Sequence, residues 1–249
     1  IYGVMINAAY GIGSQISGMV SFISSSFNNA IAPQLMAAEG GGSRTRMLSL
    51  AELQSKISFL LLAMIGIPTM FEMQKLLELW LVEVPENSML FGCAFLSMQI
   101  VDTLSSGLGT ANRAIGNIGI YILVTFTPKL LVLPLSWIIL KYSGSLFLVG
   151  LLLFMIETMC MLLRIYLFRN VSGFSAREYL KSVILRVIFP AITSIIICVI
   201  VFLLVHTDLR IIYTYFFSII GFIITTYFVT LDKSEKIFVL SIVKKIIEK

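Results

Sequence analysis

"YILVTFTPKLLVLPLSWIIL", residues 121–140, decides the fold. Twenty nearly continuous apolar residues are what an α-helix needs to cross the hydrocarbon core of a bilayer. Lys129 interrupts the run near its midpoint. A charge at that depth costs on the order of 3 kcal/mol even on insertion scales, so the lysine needs a partner or water. Thr125 and Ser136 share its helical face, and Pro128 beside it removes a backbone donor.

The rest of the chain is written the same way. Its 249 residues are 58% hydrophobic and 12% charged, against about 25% charged in an ordinary soluble domain, and its mean hydropathy is +0.99. Seven apolar segments stand out, at about 4–36, 57–80, 89–112, 118–140, 145–167, 183–205 and 211–231. Backbone groups in lipid must be satisfied within the segment, so these predict helices and an all-α membrane protein of about seven spans. Barrel strands would be half as long and alternating. The chain opens at Ile1 in an apolar segment, with neither a charged n-region nor a cleavage site before it. That speaks against a signal peptide and for a piece of a longer protein.

Loop charges set the expected orientation. Arg44, Arg46, Lys56, Arg113, Arg164, Arg169, Arg177, Lys181, Arg186 and the five lysines beyond residue 231 are placed on one side, 14 of the 18 Lys and Arg. Lys75, Lys141 and Arg210 fall on the other, near the acidic turn "VEVPE" at 82–86, and Lys129 is left over. The positive-inside rule puts the larger set in the cytoplasm, so the C-terminus is expected there. Residues 236–249, "KIFVLSIVKKIIEK", alternate apolar side chains with lysines at near-helical spacing. They predict an amphipathic tail on the cytoplasmic leaflet, a solvated tail being the alternative. Orientation accounts for the net charge of +5, and no nucleic-acid partner is implied.

Several helices are too polar to face lipid all round. In the first, Asn7, Gly11, Ser14, Gly18, Ser21, Ser25 and Asn28 recur on one face. Both tight helix packing and a cavity wall are open for it. In the third, Gln99, Asp102, Ser106, Gly109 and Arg113 share a side. Asp102, Lys129 and Glu157 fall at similar depth on three successive helices. They form either a structural ion-pair set or a wet cavity in which Lys129 meets an anion and a carboxylate holds a coupling ion. Their pairing is open. Glu72 and Lys75 are expected at the outer interface.

No enzyme constellation emerges. The single histidine, His206, lies in an outer loop, and no phosphate-binding glycine pattern is present. Cys93, Cys160 and Cys198 follow neither a disulfide framework nor a metal spacing, and read as small packing residues. Neither catalysis nor a cofactor is expected.

Three stretches in order carry a resemblance: "YGIGSQISGMVSFISSSFNNAIAPQLMAAEGGG", then "SKISFLLLAMIGIPTMFEMQKLLELWLVEVPENSMLF", then "LSMQIVDTLSSGLGTANRAIGNIGIY" with "PKLLVLPLSWIILKYSG". Over about residues 1–180 the chain resembles the C-terminal half of bacterial O-antigen and capsule repeat-unit flippases. These belong to the multidrug/oligosaccharidyl-lipid/polysaccharide (MATE-like) superfamily. The resemblance implies a second-lobe bundle of five helices at 1–169, two additional helices at 170–231 and a cytoplasmic tail at 232–249. It also implies an N-terminal half elsewhere in the protein. The implied activity is transfer of undecaprenyl-diphosphate-linked oligosaccharide across the bacterial inner membrane by alternating access, in O-antigen or capsule biosynthesis. Lys129 and Arg113 would then meet the diphosphate, with Asn28 and Gln99 as further cavity residues and Asp102 and Glu157 as coupling-ion or charge-pair residues. An ion-coupled multidrug antiporter or a lipid II flippase of the same superfamily is the nearest alternative. A membrane glycan polymerase or ligase would want a large outer loop, and a seven-helix receptor lacks its motifs here.

Overall fold

The structure is a computed structural model that describes residues 4–116, 118–171, 173–207, 209–232 and 235–236. All of its regular elements are helical, with no strand among the described residues. In chain order they are α1 (Val4–Gly40), α2 (Arg44–Phe71), α3 (Met73–Trp80), α4 (Ser88–Thr103), α5 (Ser106–Ile115), α6 (Ile118–Leu130) and α7 (Val132–Tyr142). After them come α8 (Leu146–Phe168), α9 (Ala176–Tyr179), α10 (Leu185–Leu204) and α11 (Arg210–Thr225). A π-turn joins α9 to α10 and another follows α11.

Five units are long and apolar enough to cross a bilayer: α2, α6–α7, α8, α9–α10 and α11 with its π-turn. The bent pair α4–α5 makes a sixth if counted as one span. This is an all-helical membrane protein. Large apolar side chains cover the outer faces, Leu123, Leu133, Phe147, Leu162, Leu203 and Phe216 among them, each exposed. A water-soluble fold would not leave so wide an apolar surface bare.

The count of spans departs from the seven expected. At 37 residues α1 is about 55 Å long, but its serines, asparagines and glycines keep it out of the apolar set. The second segment also begins earlier than its hydropathy suggests. Residues 44–56 continue α2 as helix, because Met47, Leu48 and Ala51 are buried and Lys56, only 2% exposed, bonds Glu235 at 2.6 Å. That segment then stops at Phe71, and α3 restarts after Glu72.

Two breaks shape the interior. Between α4 and α5 the chain bends by 48°, and the Leu104 carbonyl freed there accepts from the Tyr179 hydroxyl at 2.8 Å. Between α6 and α7 the break follows Pro128, with the Leu131 N–H turning back to the Pro128 carbonyl at 3.1 Å. A proline inside a helix removes one hydrogen bond and crowds the preceding turn. Pro134 sits in the first turn of α7, where its missing N–H costs nothing.

α1 packs against α2 and α4, α4 against α8, and α5 against α2, while α10 and α11 pair and lie on α2. Leu35, Met47, Leu108, Ile165, Phe168 and Tyr179 fill one end of this core. Phe59, Ala63, Ile67, Val187 and Phe222 bind the α10–α11 pair to α2. The face of α1 that packs is Ala9, Gly13, Ile16, Ser17, Ser24 and Ile31. It is not the polar stripe marked in the sequence. Asn7, Ser14, Gly18 and Ser25 are exposed, and a Cβ added at Gly11 or Gly18 would meet open space. Within this chain the stripe is therefore not a packing face. The amphipathic tail lies outside the described residues apart from Lys236.

Candidate functional site: a charged cavity inside the bundle

A cavity of about 480 Å³ opens among α1, α2, α4–α5, α6 and α8. Four residues singled out from the sequence line it: Asn28, Asp102, Arg113 and Lys129. Glu157 sits directly behind Lys129, 2% exposed. Gln99 does not line the cavity and is half-buried one turn before Asp102. The bend after Thr103 turns α5, with Ser106, Gly109 and Arg113, toward the cavity and leaves Gln99 on the straight part of α4.

The charges form one connected network. Arg164 on α8 donates from Nη1 to Asp102 Oδ1 at 2.6 Å and to Ser105 Oγ at 3.0 Å. Its Nη2 reaches Glu157 Oε1, two turns back on the same helix, at 3.4 Å. The other oxygen of Glu157 takes Lys129 Nζ at 2.7 Å, so the lysine's partner is Glu157 rather than Asp102. Lys129 also lies 5.4 Å from the centre of the Phe126 ring, a cation–π distance. Its side chain is 33% exposed, against 2% for Glu157. The lysine is thus the part of the pair that faces the cavity. Buried ion pairs persist only when well bonded, and three cations here share two carboxylates. Arg113 is the one in excess. Its Nη2 donates to Thr110 Oγ1 at 3.1 Å, and no carboxylate among the described residues pairs with it.

Beside Arg113 lies a neutral wall that shares Thr110 with it. Gln54 Nε2 donates to Asn28 Oδ1 at 3.1 Å and to Thr110 Oγ1 at 3.0 Å, and Ser58 Oγ donates to the same Asn28 oxygen at 2.5 Å. These bonds join α1, α2 and α5 at the cavity. The α2–α5 approach is close, since the Gly107 N–H donates to Ser55 Oγ at 2.9 Å. A Cβ on Gly107 would fall 1.9 Å from the Ala51 carbonyl oxygen, so only glycine fits.

Sequence reasoning overlooked Arg164, Gln54 and Tyr121. Arg164 was counted with the cytoplasmic loop charges, although its seven-residue spacing from Glu157 puts both on one face of α8. Gln54 and Lys56 fell in a stretch read as a linker. With Arg164 and Lys56 taken as buried in-helix charges and Arg113 as a cavity charge, the loop split becomes eleven to three.

Glu72, expected from the sequence at the outer interface, is bonded within the bundle. It is buried at the α2–α3 break, where it accepts from Arg210 Nε at 3.0 Å, Arg210 Nη2 at 3.1 Å and Thr214 Oγ1 at 2.8 Å. It is a structural anchor for α11. Cys93, Cys160 and Cys198 are free thiols, buried or half-buried.

Comparison with family models, with curated proteins and with solved structures gives no match. The class of protein is therefore set by the chain itself: a membrane helical bundle with a polar, cation-rich cavity.

Proposed function

We propose that this chain is the substrate-binding lobe of a transporter that moves undecaprenyl-diphosphate-linked oligosaccharide across the bacterial inner membrane by alternating access. In this reading the product serves O-antigen or capsule biosynthesis. The observation that carries the proposal is the excess cation: Arg113 lines the same cavity as Lys129, and no carboxylate among the described residues pairs with it. A guanidinium without a carboxylate partner favours an anion, and a diphosphate supplies one with several acceptor oxygens. Lys129 would exchange Glu157 for the diphosphate as cargo enters.

The exposed polar stripe of α1 supports the same reading. It runs from Asn7 to Asn28 and ends at the cavity, and such a face at membrane depth wants water or protein against it. The N-terminal half of a MATE-like transporter would supply that cover. The eleven-to-three split of loop charges supports a cytoplasmic C-terminus. A multidrug antiporter would hold a cationic drug on a carboxylate; here Glu157 is 2% exposed, and Asp102, 39% exposed, is bonded to Arg164.

The test is Lys129→Ala and Arg113→Ala in the full-length protein. Lipid-linked repeat units are expected to accumulate on the cytoplasmic face, with surface glycan restored toward normal by Lys129→Arg. Normal surface glycan in both alanine variants would reduce the cavity charges to a structural role.

A further inference from the structure

The neutral wall of the cavity has hydrogen bonds that do not close. Gln54 is 1% exposed, and its amide nitrogen is already shared between Asn28 Oδ1 and Thr110 Oγ1. Its carbonyl oxygen, Oε1, has no partner, and neither has the Tyr121 hydroxyl on α6. Both residues line the cavity. Asn28 Oδ1 is filled by Gln54 and Ser58, which leaves the Nδ2 donors of Asn28 without a partner among the described residues. A buried polar atom left unpaired is destabilising, and native structures seldom tolerate one without a reason. A ligand that pairs such atoms recovers the cost.

The kind of atom left open identifies the ligand group. Gln54 Oε1 only accepts, so it disfavours the acceptor oxygens of a phosphate. Asn28 Nδ2 only donates, so it disfavours an ammonium. The Tyr121 hydroxyl does both. A group matched to all three is uncharged and carries donors and acceptors on neighbouring atoms. Sugar hydroxyls and an acetamido substituent meet that description.

We infer that the cavity holds a sugar-binding subsite, in which Gln54 Oε1, Tyr121 Oη and Asn28 Nδ2 bind hydroxyl or acetamido groups while Arg113, which shares Thr110 Oγ1 with Gln54, and Lys129 hold the adjoining phosphate. The subsite deepens the transport reading and rests on it for the identity of the cargo. At about 480 Å³ the cavity falls in the range of small-molecule sites, roughly 300–1,000 Å³. It has room for one sugar and its phosphate rather than a whole repeat unit. The subsite therefore reads the sugar next to the phosphate and leaves the distal sugars outside. Sites built to bond a hydroxyl reject ligands that lack it, because their own polar groups are then stranded.

The experiment is equilibrium binding to the full-length protein in nanodiscs of phosphatidylethanolamine and phosphatidylglycerol. Three probes are compared: geranylgeranyl diphosphate, the same diphosphate bearing N-acetylglucosamine, and octyl N-acetylglucosaminide. The sugar-bearing diphosphate is expected to bind at least about tenfold more tightly than the bare one, as two or more hydrogen bonds allow. Tyr121→Phe removes no hydrogen bond from the empty protein, and is expected to erase about three- to tenfold of that preference while leaving the bare diphosphate unchanged. Gln54→Met should act in the same direction; if it fails to fold, Tyr121→Phe carries the test. Equal binding of the two diphosphates, or a preference that survives Tyr121→Phe, overturns the subsite and means that these atoms meet water only. Lys129→Ala reports on the other reading. It should weaken both diphosphates and spare the octyl glycoside. Diphosphate binding indifferent to Lys129→Ala, with glycoside binding still dependent on Tyr121, would sink the anion site and keep the sugar subsite.

Discussion

Arg164 bridges the two carboxylates of the cavity, bonding Asp102 and Ser105 with one nitrogen and Glu157 with the other. Removing one partner of a buried ion pair typically costs about 3–5 kcal/mol, because the other charge is stranded. Arg164→Leu is therefore expected to destabilise the bundle by about that amount, read as a lowered unfolding temperature in detergent. Arg164→Leu combined with Asp102→Asn should recover a good part of the loss. If the double variant is as unstable as the single, packing rather than charge sets the effect. At this scale the sequence was informative about depth and silent about direction. Asp102, Lys129 and Glu157 could be marked as buried charges from hydropathy alone. Which of them meet depends on how α4, α6 and α8 are rotated and bent, and no local pattern encodes that.

Helices α4 and α5 read as one polar-faced segment in the sequence, and the structure breaks that segment at Leu104–Ser105. The break lets α5 approach α2 until Gly107 touches the Ala51 carbonyl region, and it turns the Arg113 face toward the cavity. Gly107→Ala should push α5 off α2, since its Cβ would lie 1.9 Å from the Ala51 oxygen. We expect severe loss of folded yield on size-exclusion chromatography, while Gly18→Ala, which meets open space, should leave yield unchanged. Equal yields would mean that the close approach is not required. The periodicity of polar residues was legible here, but the bend was not. No proline marks it. It is held by tertiary bonds from Tyr179 and Ser55, far along or far back in the chain.

Across the whole molecule, α10 and α11 are joined to α2 at both ends. Near one end Glu72 holds Arg210 and Thr214, and Thr69 meets the Tyr215 hydroxyl at 2.6 Å. Toward the other, Lys56 bonds Glu235 and Ser182 donates to Glu52 at 2.9 Å. We expect Glu72→Ala to destabilise by about 3–5 kcal/mol, and Glu72→Leu with Arg210→Met to be close to neutral, because an apolar pair strands no charge. Thermal unfolding of the two variants checks this. Matching losses in both would show that the bond geometry itself, not the unpaired arginine, holds α11 in place.

The sequence by itself determined the class of fold and marked Asp102, Lys129 and Glu157 as charges within apolar helices. Apolar runs near twenty residues admit only helices in a bilayer, and residues 121–140 announce both that and a lysine in need of a partner. Tertiary structure decided the rest. It carried α2 back to Arg44, buried Arg164 and Glu72 as bonded pairs, and gave Lys129 to Glu157. The physical reason is that hydropathy sums single side chains along the chain. Pairing, bending and the surplus positive charge at Arg113 arise between helices, where only their packing sets the distances.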